Sequence, residues 1–378
     1  MGAADLMAAR SYPNPELHLD VEDWLGSGAA RGTRLLQLTV QVSQEIELGG
    51  QRAARIRAAG AAALTRDWRV AVMRLDLLAR ATMAFLDLLY AQELLERRIA
   101  LEENAKLVLK NLSRMESAGR VLEPVVAQAR IRLHLARAER KRVEATLIDR
   151  RLALAGLWGS NQARFGKASG KLGQLPKAPP LKDVLAAAGA HPAIRERDSL
   201  LAEQRARLES ERRAAWPALG LRAGYRYLHG EEASALVLGV SLPLPLFSRN
   251  QGAIEVARVR LERARLERDK ALVERNNRLA RAHERLRSLA EEARTLNVEV
   301  LPIARQSFAL LEEGFRLGRV QSLELLDAAR TLLEVEERTL DASHRAHRAL
   351  VSLKALVGTL SAPSSHGEAP TRGREVAR

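Results

Sequence analysis

The sequence predicts a mainly helical α+β protein built from one unit written twice, each unit carrying two strands and a very long antiparallel helical hairpin. Three observations support this: an internal repeat at an offset of about 200 residues, four segments that alternate apolar and polar residues, and apolar rows spaced by seven in between.

The repeat is read from landmarks that recur in the same order. Pro15-Glu16-Leu17 returns as Pro217-Ala218-Leu219, and Gln51, after Gly49-Gly50, returns as Gln251 after Arg249-Asn250. Gly119-Arg120-Val121 matches Gly318-Arg319-Val320, Ala129-Arg130 matches Ala329-Arg330, and Leu157-Trp158-Gly159 matches Leu356-Val357-Gly358.

The strands follow from period two. Leu17, Leu19 and Val21 oppose Glu16, His18, Asp20 and Glu22, and Leu36, Leu38, Val40 and Val42 oppose Gln37, Thr39, Gln41 and Ser43. In the second copy Leu219, Leu221, Ala223, Tyr225 and Tyr227 oppose Gly220, Arg222, Gly224 and Arg226. The fourth segment runs Leu236, Leu238, Val240, Leu242, Leu244, with Pro243 and Pro245 confining its end to a margin or bulge.

Helical periodicity follows. Leu272, Leu279, Leu286, Ala293 and Val300 form one heptad row, and Ala282, Leu289, Leu296, Ile303 and Leu310 the companion row, which together make a coiled-coil seam. The stretches from Gly50 to Gly119 and from Asn250 to Gly318 are each long enough for a helix of roughly 100 Å at about 1.5 Å per residue. Pro302 falls within the second and should kink or locally break it, because proline removes a hydrogen bond of the ladder.

These elements set the expected organisation: residues 1–160 a first repeat, 161–180 a linker rich in Gly, Pro and Lys, 181–360 a second repeat opened by a helix, and 361–378 a disordered tail. Only fourteen residues precede Pro15, so the first copy is expected to lack its opening helix. Met1 to Tyr12 lacks the charged start and apolar middle of a secretory signal, so any export signal is expected to lie ahead of that missing helix.

Composition narrows the function classes. Formal net charge is +15, but the arginines are interleaved with glutamates, as in Arg258, Arg260, Glu262, Arg263, Arg265 and Glu267, which is a solvated helix surface. No basic cluster is interleaved with aromatics for stacking bases, and nucleic acid is not an expected partner. Absence of cysteine excludes disulfides, thiolate metal sites and a nucleophilic Cys. His344 and His347 lie three apart, but no third ligand stands at metal spacing, and a structural role is the better reading. Trp158 and Trp216 read as packing residues near helix ends, and Tyr12, Tyr225 and Tyr227 as interface aromatics. No nucleophile–base pair, phosphate-cradling loop or cofactor motif is present, so neither an enzyme nor a cofactor is expected.

No apolar run approaches the roughly 18 residues of a membrane helix, so any crossing must be made by strands. Four strands cannot close a barrel, because a closed sheet needs about eight or more and an open edge cannot face lipid. Three copies would pool about twelve, with polar residues toward a wet lumen and the Leu/Val rows toward lipid. The helical hairpins would pack side by side into a tunnel.

At this point the chain resembles a known family. Pro13-Asn14-Pro15-Glu16-Leu17, Ser43-Gln44-Glu45-Ile46-Glu47-Leu48-Gly49-Gly50, Ser241-Leu242-Pro243-Leu244-Pro245-Leu246-Phe247-Ser248-Arg249-Asn250-Gln251-Gly252 and Gly314-Phe315-Arg316-Leu317-Gly318-Arg319-Val320 through Asp327-Ala328 are similar to the TolC-like outer-membrane efflux protein family, in its heavy-metal RND branch. The resemblance implies a homotrimeric β-barrel and α-helical tunnel in the Gram-negative outer membrane, working with a periplasmic adaptor and an inner-membrane RND-type pump. It also implies an acidic periplasmic entrance, which by position falls on Glu324 and Asp327. Gly119, Arg120, Val121, Gly318, Arg319 and Val320, at the hairpin tips, are the candidate adaptor contacts. Two other classes compete: a periplasmic adaptor, which would normally carry one hairpin between glycine-rich β modules, and a cytoplasmic Arg-rich coiled-coil scaffold, which would have no use for four alternating strands.

Overall fold

The computed structural model describes residues 2–360 apart from Gly26, Ala29 and Ala30, and for Gly2, Ala3, Ser322, Leu323 and Leu326 the backbone alone. The expected tail, Ser361–Arg378, lies outside the described residues. In chain order the elements are α1 (Gly2–Arg10), β1 (Glu16–Glu22), β2 (Gln37–Ile46), α2 (Gln51–Ser117), α3 (Glu123–Gly156), α4 (Leu181–Ala187), α5 (Pro192–Ala214), β3 (Leu219–Leu228), β4 (Ala233–Ser241), α6 (Gln251–Thr295), α7 (Leu301–Arg316) and α8 (Ser322–Val357). Two compact units partition them, Met1–Val72 with Pro192–Val273 and Met73–His191 with Glu274–Arg378, and each draws on both repeats.

The first unit holds one antiparallel sheet in the order β1-β2-β3-β4. The central pairing, from Gln37 opposite Leu228 to Ile46 opposite Leu219, joins the strands of the first repeat to those of the second. β4 ends at Ser241, before the expected Leu244, because Pro243 and Pro245 have no N–H to give the ladder. Both helices that follow the strand pairs start from a left-handed residue at matching repeat positions, Gly50 at φ 74° and Asn250 at φ 59°. Asn250 holds this conformation by donating from Nδ2 to the Glu211 carbonyl and carboxylate, each at 2.9 Å. Gly49 is required for a different reason: a Cβ there would lie 2.4 Å from that of Trp216. Trp158 and Trp216 do sit near helix ends, yet each is 59% exposed, so neither is a core residue.

Residues 2–10, read as too few for an opening helix, form the short α1, which Asp5 ties to Arg66 at 2.9 Å. In the second repeat the corresponding segment is α5, tied to α2 by Ser199 with Thr65 (3.1 Å) and by Glu196 with Arg69 (3.1 Å).

The second unit contains both hairpin tips. Its core lines the seam read from the heptads: Leu279, Leu286 and Ala293 are fully buried with Ala342, Ala346 and Leu353 of α8. Beyond Ala293 the seam shifts. A π-helical turn, Leu296–Val300, precedes Pro302, and the Leu301 N–H reaches five residues back to the Leu296 carbonyl. Pro302 would leave the Val298 carbonyl unbonded and press its ring against it, and the wider turn relieves both. The extra residue advances the inward row by one position, so Ala304, Phe308 and Leu311 are half-buried. Ile303 and Leu310, expected in the seam, are instead each 67% exposed.

Residues 161–180 have neither helix nor strand, but they are not a loose connection. Leu172 is 1% exposed among Leu89 and Leu340. Main-chain groups of the segment are held by Gln92 (both ways with Ala168), by His347 on the Leu172 carbonyl (3.2 Å), by His283 on the Pro179 carbonyl (2.7 Å) and by Arg151 on the Gly166 carbonyl (3.0 Å). The segment is a strap pinned across the helices.

Candidate functional site

The two faces of the sheet differ in kind. On one, cross-strand partners align Leu17, Val42 and Ala223, then Leu19, Val40 and Tyr225, then Val21, Leu38 and Tyr227. β4 extends these rows with Leu238 beside Ala223 and Leu236 beside Tyr225. No other described part of the unit covers them: Leu17 is 72%, Leu236 84%, Leu238 81% and Val240 70% exposed. An apolar sheet face this open would drive aggregation in water and is at home against lipid.

The other face is polar and ordered by charge across the strands. β1 presents Glu16, His18, Asp20 and Glu22, β2 presents Gln37, Thr39, Gln41 and Ser43, β3 presents Arg222 and Arg226, and β4 only small residues and Val237. Hydrogen bonds lace it together: Gln41 to Asp20 (2.9 Å), Arg226 to Thr39 (3.0 Å), and the His18 ring with the Ser43 hydroxyl (2.9 Å). The outer edges of β1 and β4 have no partner strand among the described residues, and unpaired N–H and C=O groups cannot face hydrocarbon.

The hairpin tips share one geometry. At the first, Gly119 adopts φ 68°, and the Arg120 N–H reaches the Met115 carbonyl at 2.8 Å. At the second, Gly318 adopts φ 74°, and the Arg319 N–H reaches the Gly314 carbonyl at 2.8 Å. These are the left-handed helix ends that glycine adopts without strain. The residues beside them separate. Val121 packs back on the buried Leu112, Val126 and Ala129, and Val320 fills the space over Gly314, where a Cβ would meet it at 2.6 Å. Arg120 and Arg319 remain exposed. Two exposed apolar residues join them that the sequence reading passed over, Leu122 at 76% and Leu317 at 56%. Their signal in the sequence was weak, since Leu317 ends one helix and Leu122 caps the start of another, where an apolar residue reads as part of the helical pattern.

Glu324 and Asp327 lie in the first turns of α8, one turn apart, exposed and without an ion pair among the described residues. The matching positions of the first repeat are Val125 and Gln128, so only the second hairpin carries the acidic pair. His344 and His347, by contrast, are structural. His344 donates to Asp87 at 2.8 Å and stacks on Tyr90 with ring centroids 4.5 Å apart, while His347 serves the strap. Burial pushes the His347 imidazole below its usual range, against its hydrogen bonds to the Leu172 and Gln174 carbonyls. Among the described residues no helix is long and apolar enough to cross a membrane.

A sheet with one uncovered apolar face and two open edges, on one chain with two long helical hairpins, fits the subunit of a membrane channel. The chain belongs to the outer membrane efflux protein family, whose model matches residues 2–160 and 186–359. It is 30% identical over 353 residues to the cobalt-zinc-cadmium resistance protein CzcC of Cupriavidus metallidurans, covering 93% of this chain and 83% of that one. It is 26% identical over 261 residues to the nickel-cobalt-cadmium resistance protein NccC of Alcaligenes xylosoxydans, covering 68% and 58%. In fold it is similar to the Campylobacter jejuni CmeC outer membrane channel (TM-score 0.76, 16% identity, 95% of this chain and 80% of that one) and to a CusC structure (TM-score 0.73, 17% identity, 94% and 86%). The family and the TolC-like fold are those the sequence resemblance implied, the heavy-metal relatives match the branch it named, and the protein is an outer-membrane efflux channel rather than an enzyme.

Proposed function

We propose that three copies of this chain pool their sheets into a closed barrel of about twelve strands and their hairpins into a helical tunnel, and that the assembly passively conducts solutes handed to it by a periplasmic adaptor and an inner-membrane pump of the RND class. Metal cations are the favoured substrate, by similarity to relatives named for cobalt, zinc, cadmium and nickel resistance. The observation that supports this best is the sheet: an uncovered apolar face, a polar face opposite and two unpaired edges make sense together only when sister copies complete the cylinder. The test is to extract the protein from outer membranes and reconstitute it in planar bilayers. A trimer with steady conductance is expected, and a monomer found in the soluble fraction would refute the reading.

Glu324 and Asp327 form the acidic entrance in this scheme. Brought together from three copies, their carboxylates repel anions and attract cations at a narrow opening. Glu324→Gln with Asp327→Asn should lower the cation-to-anion permeability ratio about threefold, the effect of roughly half a kT of local potential acting oppositely on the two ions. An unchanged ratio would assign the pair to a plain solvated helix face.

The hairpin tips contact the adaptor. Gly119 and Gly318 set the turns, Val121 and Val320 brace them from within, and Arg120 and Arg319 meet the partner beside the exposed Leu122 and Leu317. Reversing charge at both arginines should weaken crosslinking to the adaptor severalfold while leaving trimer yield intact, because both side chains are solvated and surface substitutions cost little stability. Full crosslinking by the double variant would place the contact elsewhere.

A further inference from the structure

The strap at residues 161–180 gives the second unit two distinguishable faces. On α8, Leu340 and His347 point to the strap, and Arg345 lies about 140–160° around the helix from them at about 100° per residue. On α6, His283 holds the strap at the Pro179 carbonyl, and Arg281 and Arg285, two residues to either side, lie about 160° away from it. The side away from the strap holds a hollow of about 620 Å³ lined by Met83 of α2, Arg281, Arg285 and Leu289 of α6, and Arg345, Arg348 and Ala349 of α8. Residues of α2, α6 and α8 thus share one hollow, which makes this face locally concave.

The charge in the hollow is one-sided. Arg345 is answered by Asp341 at 2.9 Å and Glu292 at 3.1 Å, and Arg348 by Asp87. Arg281 and Arg285 are exposed and make no ion pair among the described residues. Among the described residues no carboxylate lines the hollow itself. Two guanidinium charges therefore face the hollow without a paired carboxylate among the described residues. Twenty residues of irregular chain on the lumen side would fill a passage, so the strap belongs outside and the concave arginine face inside.

We propose that Arg281 and Arg285 form an anion-attracting belt in the wall of the conduit, drawing small anions such as chloride and carboxylate- or phosphate-bearing solutes to the lumen at this level. The inference rests on the reading of the chain as a trimeric duct. It adds that cations leaving through the duct cross this belt accompanied by counter-ions or as anionic complexes, whereas the acidic entrance alone would favour bare cations.

The test is the reversal potential of reconstituted trimers under a KCl gradient. At about 0.1 M salt, where screening acts over about 10 Å, Arg281→Gln with Arg285→Gln should lower the anion-to-cation permeability ratio about threefold, the effect of roughly half a kT of local potential acting oppositely on the two ions. Arg281→Lys with Arg285→Lys should retain the wild-type ratio. The difference should vanish near 1 M, where screening acts over about 3 Å. Conducting variant trimers with the wild-type ratio at low salt would overturn the belt while leaving the duct standing. Absence of conductance from inserted wild-type trimers would overturn the duct, and the belt with it.

Discussion

Leu238→Arg should all but abolish the protein's assembly in the outer membrane. Leu238 is 81% exposed in the middle of β4, between Leu236 and Val240 on the uncovered apolar face. An arginine on the lipid face of a barrel strand costs about 2–4 kcal/mol at the bilayer midplane, and a trimer carries the cost three times, about 6–12 kcal/mol in all. That is comparable with the whole stability of an ordinary domain, about 5–15 kcal/mol. Val237, one residue earlier, faces the opposite way, opposite Gly224 on the polar side. Val237→Gln should therefore assemble normally. Quantifying trimers in outer-membrane fractions checks the pair. Wild-type amounts of the Leu238→Arg trimer would mean that this face does not meet lipid.

That contrast was readable from sequence because period two survives where a sheet has one uncovered face: Leu17, Leu19 and Val21 against Glu16, His18 and Asp20 need no knowledge of tertiary contacts. The hairpin turns were legible for a similar local reason, since Gly119 and Gly318 are each followed by Arg-Val at matching repeat positions. Reasoning weakened where one residue changes a register. Pro302 announced a break but not its form, and a π turn carries Ile303 and Leu310 out of a seam that a straight heptad count places them in. The strap was hidden for another reason. Its Gly, Pro and Lys content reads as solvent-exposed chain, whereas its order comes from side chains that bind its main-chain carbonyls, Arg151 of the preceding helix and, from helices distant in sequence, Gln92, His283 and His347. The arginine face depends on the strap in turn. Arg281 and Arg285 are two among many arginines in α6 until His283 between them shows which way the helix is turned.

Asp87→Asn tests what binds the two repeats into one wall. Asp87 lies on α2 of the first repeat, and its carboxylate accepts hydrogen bonds from His344, at 2.8 Å, and from Arg348, both on α8 of the second. Burial by itself raises the Asp87 pKa, but the hydrogen bonds and charges of His344 and Arg348 together outweigh it and hold the group at about 2. With the unfolded value near 3.9, the folded pKa is the lower one. The carboxylate therefore contributes stability at every pH above about 4, and that contribution is lost as pH falls toward 2. A shift of this size corresponds to about 2.5 kcal/mol. Because the Arg348 side chain is 40% exposed, solvent screening reduces it to about 1–2 kcal/mol. The amide keeps the shape of the carboxylate but cannot carry its charge, so the variant should unfold at lower urea at pH 7 and show a flatter dependence between pH 4 and 2. Paired unfolding curves at pH 7 and pH 3, followed by circular dichroism, measure both effects. If the variant matches the wild type at both, the repeats are held together by the apolar packing of Leu89, Leu172 and Leu340 instead.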